Sequence, residues 1–210
     1  MKSTPLTSFK GMVSFMATLA DLLDTFTTSQ ARAARVQYRD LYAARDNGDL
    51  VELSRGVFRK TEAPAPTYPD LLAVAYRAPD AVTCLVSAAV VHDLTDEVPL
   101  AVQIAVAKGR SRPRIVYPPV EVFAWSPTTV GLDVQLVEAA AGEPVRVYSP
   151  ARTVVDLLRL RSRIGEPVAL VALRRYLARP DAQVGHLLDL AEALDVLGPV
   201  RSAVDVLTAS

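Results

Sequence analysis

The chain has 210 residues, half of them hydrophobic and 22% charged, a globular composition that excludes a wholly disordered protein. Its 23 basic and 23 acidic residues cancel, so net charge alone implies no polyanionic partner. A single cysteine, Cys84, excludes an intrachain disulfide and a thiolate metal cage, and fits a reducing, cytoplasmic setting. No stretch reads as a membrane span: the nearest, Met12 to Leu23, is interrupted by Asp21 and lacks the flanks of a signal peptide.

The charge is unevenly placed. From Ser29 to Lys60 seven basic residues stand against four acidic, whereas Asp70 to Ser149 holds six against nine. Binding to a polyanion depends on the field of one face, so the cationic excess of the N-terminal third carries more weight than the sum.

Residues 1–10 are polar and contain Pro5, and read as a loose tail. Phe15, Leu19, Leu22, Leu23 and Phe26 then recur at helical steps and predict a helix from about Val13 to Thr25. Ser29 is the expected N-cap of a short helix through Ala34, and a second helix is expected from Gln37 to Asn47, stopped by Gly48. Leu50 to Lys60 reads as two strands around Ser54-Arg55-Gly56. Three helices and a ribbon in this order are the plan of a winged helix-turn-helix. In that plan Val36 and Leu41 face inward, while Gln37, Tyr38, Arg39, Tyr42 and Arg45 look outward. Gln37 and Arg39 suit bidentate base contacts, and Arg45, Arg55, Arg59 and Lys60 suit phosphates. A three-helix cap with a solvated, arginine-rich surface accounts for the same pattern.

Thr61 to Pro69 carries three prolines in nine residues and reads as a stiff linker, which divides the chain into residues 1–66 and 67–210. Beyond it a helix is predicted near Asp70 to Tyr76, and a long apolar helix over Val82 to Leu94. Strands are predicted at Ala101–Ala107, Ile115–Tyr117, Glu121–Trp125, Asp133–Val137 and Val145–Tyr148, in a mostly antiparallel sheet. Ser149-Pro150 then opens a run of helices near Ala151–Arg161, Pro167–Leu177, Val184–Leu194 and Val200–Leu207. The fold class expected is α+β, a winged helix-turn-helix followed by a larger mixed domain.

The catalytic inventory is thin. His92 and His186 lack partners at metal-ligand spacing, and no phosphate-cradling glycine loop or G-x-S-x-G turn occurs. The best enzyme case is a Mg²⁺-dependent nuclease built on Asp133, Glu138 and Glu143. No acidic residue there is followed two positions later by lysine, and Arg146 stays charged and cannot act as a base. The expectation is therefore a non-enzyme with no metal or cofactor. Lys108, Arg110, Arg112 and Arg114 alternate in a polar stretch, as a phosphate-contacting loop or as a solubilising hairpin tip. Arg152 and Asp156 share a helix face, with a pairing worth a few tenths of a kcal/mol, about what exposed helical pairs contribute.

With these residues in order, the sequence resembles the AbiEi family of antitoxins from type IV toxin-antitoxin systems. The parts that carry the resemblance are the short helix pair, the ribbon from Gly48 to Phe58, and the apolar segment Ser87 to Leu94. The basic stretch Lys108 to Arg114 and the helix start from Ser149 to Leu158 complete it. The resemblance implies an N-terminal winged helix that binds inverted repeats of double-stranded DNA in its own promoter and represses the operon. It implies a C-terminal domain that counters an AbiEii-like nucleotidyltransferase toxin, and a monomer that binds DNA cooperatively. DNA contact carries over to Gln37, Tyr38, Arg39, Arg45, Arg55 and Arg59, and to Lys108, Arg110, Arg112 and Arg114. Asp40 and Asp46 depart from a uniformly basic recognition helix. A ligand-responsive winged-helix regulator is the alternative reading.

Overall fold

The computed structural model describes Leu19 and residues 21–209. The tail and most of the helix expected over Val13 to Thr25 lie outside the described residues. Where that helix was expected to end, Thr25–Thr27 forms strand β1 instead.

Thr27 rather than Ser29 caps helix α1 (Thr28–Ala33). Its side chain accepts from the Gln30 backbone and Gln30 reaches back to the Thr27 backbone, a reciprocal capping box that outbids a lone serine. After a tight turn at Arg35, helix α2 (Tyr38–Asp46) buries Leu41 and Ala44, and Gly48 follows its C-cap with a φ of 87°. Strands β2 (Leu50–Ser54) and β3 (Val57–Lys60) form the expected hairpin, and β1 pairs antiparallel with β3, giving the order β1-β3-β2. Gly56 at the hairpin turn has a φ of 76°, and a Cβ there would lie 2.8 Å from the Thr28 hydroxyl, so only glycine fits. Phe26, Ala31, Val36, Leu41, Leu50 and Phe58 make the core of this part.

The proline-rich segment leads to helix α3 (Pro69–Arg77). The apolar run expected to be one helix is divided into strand β4 (Val82–Thr83) and helix α4 (Leu85–Val91), because a run of this length satisfies a buried strand and a buried helix equally. Strands β5 (Val102–Ala107), β6 (Val120–Trp125), β7 (Val134–Ala140) and β8 (Glu143–Tyr148) complete a sheet of order β6-β5-β4-β8-β7. It is evenly mixed rather than mostly antiparallel: β4–β5 and β7–β8 are antiparallel, β5–β6 and β4–β8 parallel. The strand expected at Ile115–Tyr117 is absent among the described residues; Pro113, Pro118 and Pro119, which cannot donate to a ladder, close it in on both sides. The stretch around Arg110 is consequently a crossover between two parallel strands and not a hairpin tip.

Both faces of this sheet are apolar. Val102, Ile104, Val145 and Val147 pack with α3, and Ala105, Phe123, Trp125 and Tyr148 pack with the C-terminal helices. Those are α5 (Pro150–Arg159), a short turn α6 (Arg161–Ile164), α7 (Glu166–Leu177), α8 (Val184–Ala193) and α9 (Leu197–Thr208). Ser149 caps α5 as expected by accepting from the Arg152 backbone, with Pro150 in the first turn. No helix among the described residues is long and apolar enough to cross a membrane.

Candidate functional site

Helix α2 presents its first turn to solvent. Gln37 is its N-cap residue and is exposed; Tyr38 is 61% exposed and Arg39 85% exposed along its side chain. Among the described residues Arg39 makes only a long 3.4 Å contact to Asp40, the kind of surface pair that contributes little and yields readily to another anion. Arg32 and Arg35, in α1 and the turn after it, are also exposed. Both belong to the charge excess of residues 29–60, and Arg32 is exposed because α1 buries only Ala31.

Further along α2, Tyr38 stacks on Tyr42 at 5.4 Å, and Tyr42 meets Phe58 edge-on at 5.6 Å. Arg45 lies over the Tyr42 ring and is held by two carboxylates, Asp46 at 2.7 Å and Glu52 at 2.9 Å. The other oxygen of Glu52 accepts from the Gly56 amide, so this chain ties α2 to the hairpin turn. Arg45 was expected to be an outward phosphate contact. Its charge is instead largely spent within the module, because β2 supplies an acid opposite it.

Two further expectations are corrected. Arg59 is only 4% exposed. Its guanidinium donates to Thr25 and Glu143, each at 2.6 Å, and to the Pro64 carbonyl at 2.7 Å. Strand alternation turns Phe58 toward α2 and sends Arg59 to the opposite face, which the larger sheet covers. Lys60 donates to the Leu22 carbonyl at 2.8 Å, with Asp24 at 4.0 Å, and its side chain is mostly buried. Neither residue is placed to meet a phosphate.

Arg55 stays exposed at the turn, but the hairpin is not free-standing. Ser54 donates to the Tyr117 carbonyl at 2.6 Å, and Arg77, at the end of α3, donates to the carbonyls of Arg55 and Arg114. Arg77 therefore brings the hairpin turn beside the basic crossover, where Lys108, Arg110, Arg112 and Arg114 are all exposed. Sequence reasoning missed Arg77, since an arginine in a last helical turn reads as a favourable dipole partner and nothing more.

The acidic trio does not converge. Glu143 is engaged by Arg59 and by the Tyr76 hydroxyl, Asp133 by Ser149 and His186, and Glu138 by the Gly142 amide. Among the described residues no group of three or more histidine, cysteine or acidic side chains could hold a metal ion.

A second cluster was underrated. Arg152 and Asp156 are fully buried, 2.8 Å apart, and Arg159 reaches the other Asp156 oxygen at 2.8 Å. Arg152 also donates to the carbonyls of Thr129 and Leu132 and lies against the rings of Trp125 and Tyr148. Burial nonetheless pushes the Asp156 carboxyl up from its ordinary value and raises the nearby Cys84 thiol well above its own. The signal was in the sequence: three charges spaced along an otherwise apolar helix.

No family model matches the chain, and no curated protein matches it. Among solved structures, the fold is similar to the crystal structure of the Rv2827c protein from Mycobacterium tuberculosis, with a TM-score of 0.60 and 16% sequence identity over 99% of this chain and 83% of that one. At that identity the likeness concerns the mixed α+β fold.

Proposed function

We propose that this chain is a DNA-binding antitoxin that represses its own operon. The DNA half of the reading rests on one observation: the order β1-α1-α2-β2-β3, with Gln37, Tyr38 and Arg39 exposed on the first turn of α2. That order suits a winged helix-turn-helix, in which one helix enters a major groove about 12 Å wide and the ribbon reaches a neighbouring phosphate. Gln37 and Arg39 then read base edges, while Arg32, Arg35, Arg55 and the crossover cations neutralise the backbone. The AbiEi resemblance supplies the antitoxin half, with the larger sheet and its helices opposing a nucleotidyltransferase-like toxin.

A mobility-shift titration of duplex DNA from upstream of the gene tests the first half. Saturable, salt-sensitive binding that weakens at least tenfold in Arg39→Ala is expected, and equal affinity for unrelated duplexes refutes it. Co-expression with the neighbouring gene tests the second half: absence of toxicity from that gene, or absence of rescue by this chain, refutes it.

A further inference from the structure

A cleft of about 630 Å³ opens between the end of α3, the β4–β5 ladder and the crossover that follows β5. Four arginines, Arg77, Arg110, Arg112 and Arg146, line it against one acidic residue, Asp80. Their partners leave most of the charge uncompensated. Arg77 is held by two backbone carbonyls, and Arg146, half-buried on β8, donates to the Asp80 carbonyl at 3.0 Å. Arg110 comes no nearer than 3.7 Å to the exposed Asp80 carboxylate, and Arg112 has no partner among the described residues. Carbonyl dipoles orient a guanidinium without neutralising it, so converging arginines fixed this way keep their attraction for an external anion. The volume lies in the range of small-ligand pockets, and the remaining walls, including Val82 and Val106, are apolar.

We propose that this cleft binds a phosphate-bearing anion, either a free compound or a phosphate of a nucleic-acid backbone. The planar forks of Arg77 and Arg146 receive the phosphate oxygens from the side of the sheet, and Arg110 and Arg112 close on them from the crossover. Because Arg77 also grips the hairpin turn and the crossover, an occupant of the cleft bears on the segment that carries Arg55. The free-anion arm rests on the cleft's own geometry, whereas the nucleic-acid arm rests on the DNA-binding reading above, in which the crossover cations already meet the backbone.

Calorimetric titration of the full chain with inorganic pyrophosphate, beside a fluorescence titration with a 20-base-pair duplex, tests the proposal. Each is run on the wild type and on Arg146→Gln, Arg112→Gln and, outside the cleft, Arg201→Gln. Charge-assisted contacts of this kind predict a loss of about tenfold or more in each cleft variant and less than twofold in Arg201→Gln. Arg112 is exposed, so its variant keeps the test valid if Arg146→Gln disturbs folding. Pyrophosphate binding lost in both cleft variants assigns the site to a free anion. Loss confined to the duplex assigns it to the nucleic-acid backbone. No response to either probe, or equal loss in Arg201→Gln, overturns the proposal. Failure of the DNA reading is seen separately, as indifference of the duplex titration to Arg39→Ala.

Discussion

Replacing Glu143 with alanine removes the carboxylate that faces Arg59 across the junction of the two sheets. Both side chains are about 95% removed from solvent, so screening offers no relief, and the guanidinium keeps only Thr25 and the Pro64 carbonyl. Stranding a buried charge by deleting its partner costs about 3–5 kcal/mol. Tyr76, whose hydroxyl donates to the other Glu143 oxygen at 2.9 Å, loses its acceptor as well. For a chain of this size each kcal/mol moves the melting temperature by about 2–4 °C, so a drop of about 6–20 °C is expected by calorimetry. The double variant Arg59→Met, Glu143→Leu removes both charges and should recover most of that loss, because apolar groups of similar volume replace a buried pair at little cost. A Glu143→Ala penalty below about 1 kcal/mol, or a double variant as unstable as the sum of the singles, would refute the assignment of this pair as a buried junction.

Three other outcomes are expected. Asp156→Ala should destabilise by about 3–5 kcal/mol in urea unfolding, because it leaves Arg152 charged and fully buried; a change of a few tenths would restore the view of an ordinary helical pair. Burial lowers the pKa of His92, whose Nε2 bonds the Tyr148 carbonyl at 2.7 Å, below its ordinary 6.5. A depressed pKa means that the unfolded chain takes up the proton first, so this contribution is present above about pH 6.5 and lost as pH falls through the folded value. Urea titrations between pH 7 and 5 should show that loss, and His92→Gln should flatten it. Arg55→Ala should weaken binding to all duplexes alike and reduce the salt slope by about one unit, as for a phosphate contact; a sequence-dependent loss would instead place Arg55 on a base.

Much of the fold was legible because local chemistry specified it. Gly48 after α2, Gly56 in the hairpin, and Ser149-Pro150 before α5 each mark a backbone geometry that few other residues allow. The spacing of Val36 and Leu41 set the buried side of the helix pair. Ambiguity entered where the same residues satisfy two structures: Val82 to Leu94 is apolar enough for either a strand or a helix, and only pairing with Ile104 and Val147 made its start a strand. The direction of β6 likewise depends on where a long crossover returns, which no residue within it dictates.

Charge placement divides in the same way. The sequence by itself determined that cations gather in residues 29–60 and 108–114, and which of them sit at helix starts and turns, since those follow from order and period. Tertiary structure alone decided which of them remain available. Arg59 and Lys60 read like Arg39 and Arg55, yet the first two are consumed by Glu143 and by a backbone carbonyl, and Arg77 and Arg146 meet the crossover cations only because α3 ends, and β8 runs, beside the same cleft. A charge is free or spent according to what lies within a few ångströms of it, and residues 84 positions apart become neighbours only when the chain has closed on itself.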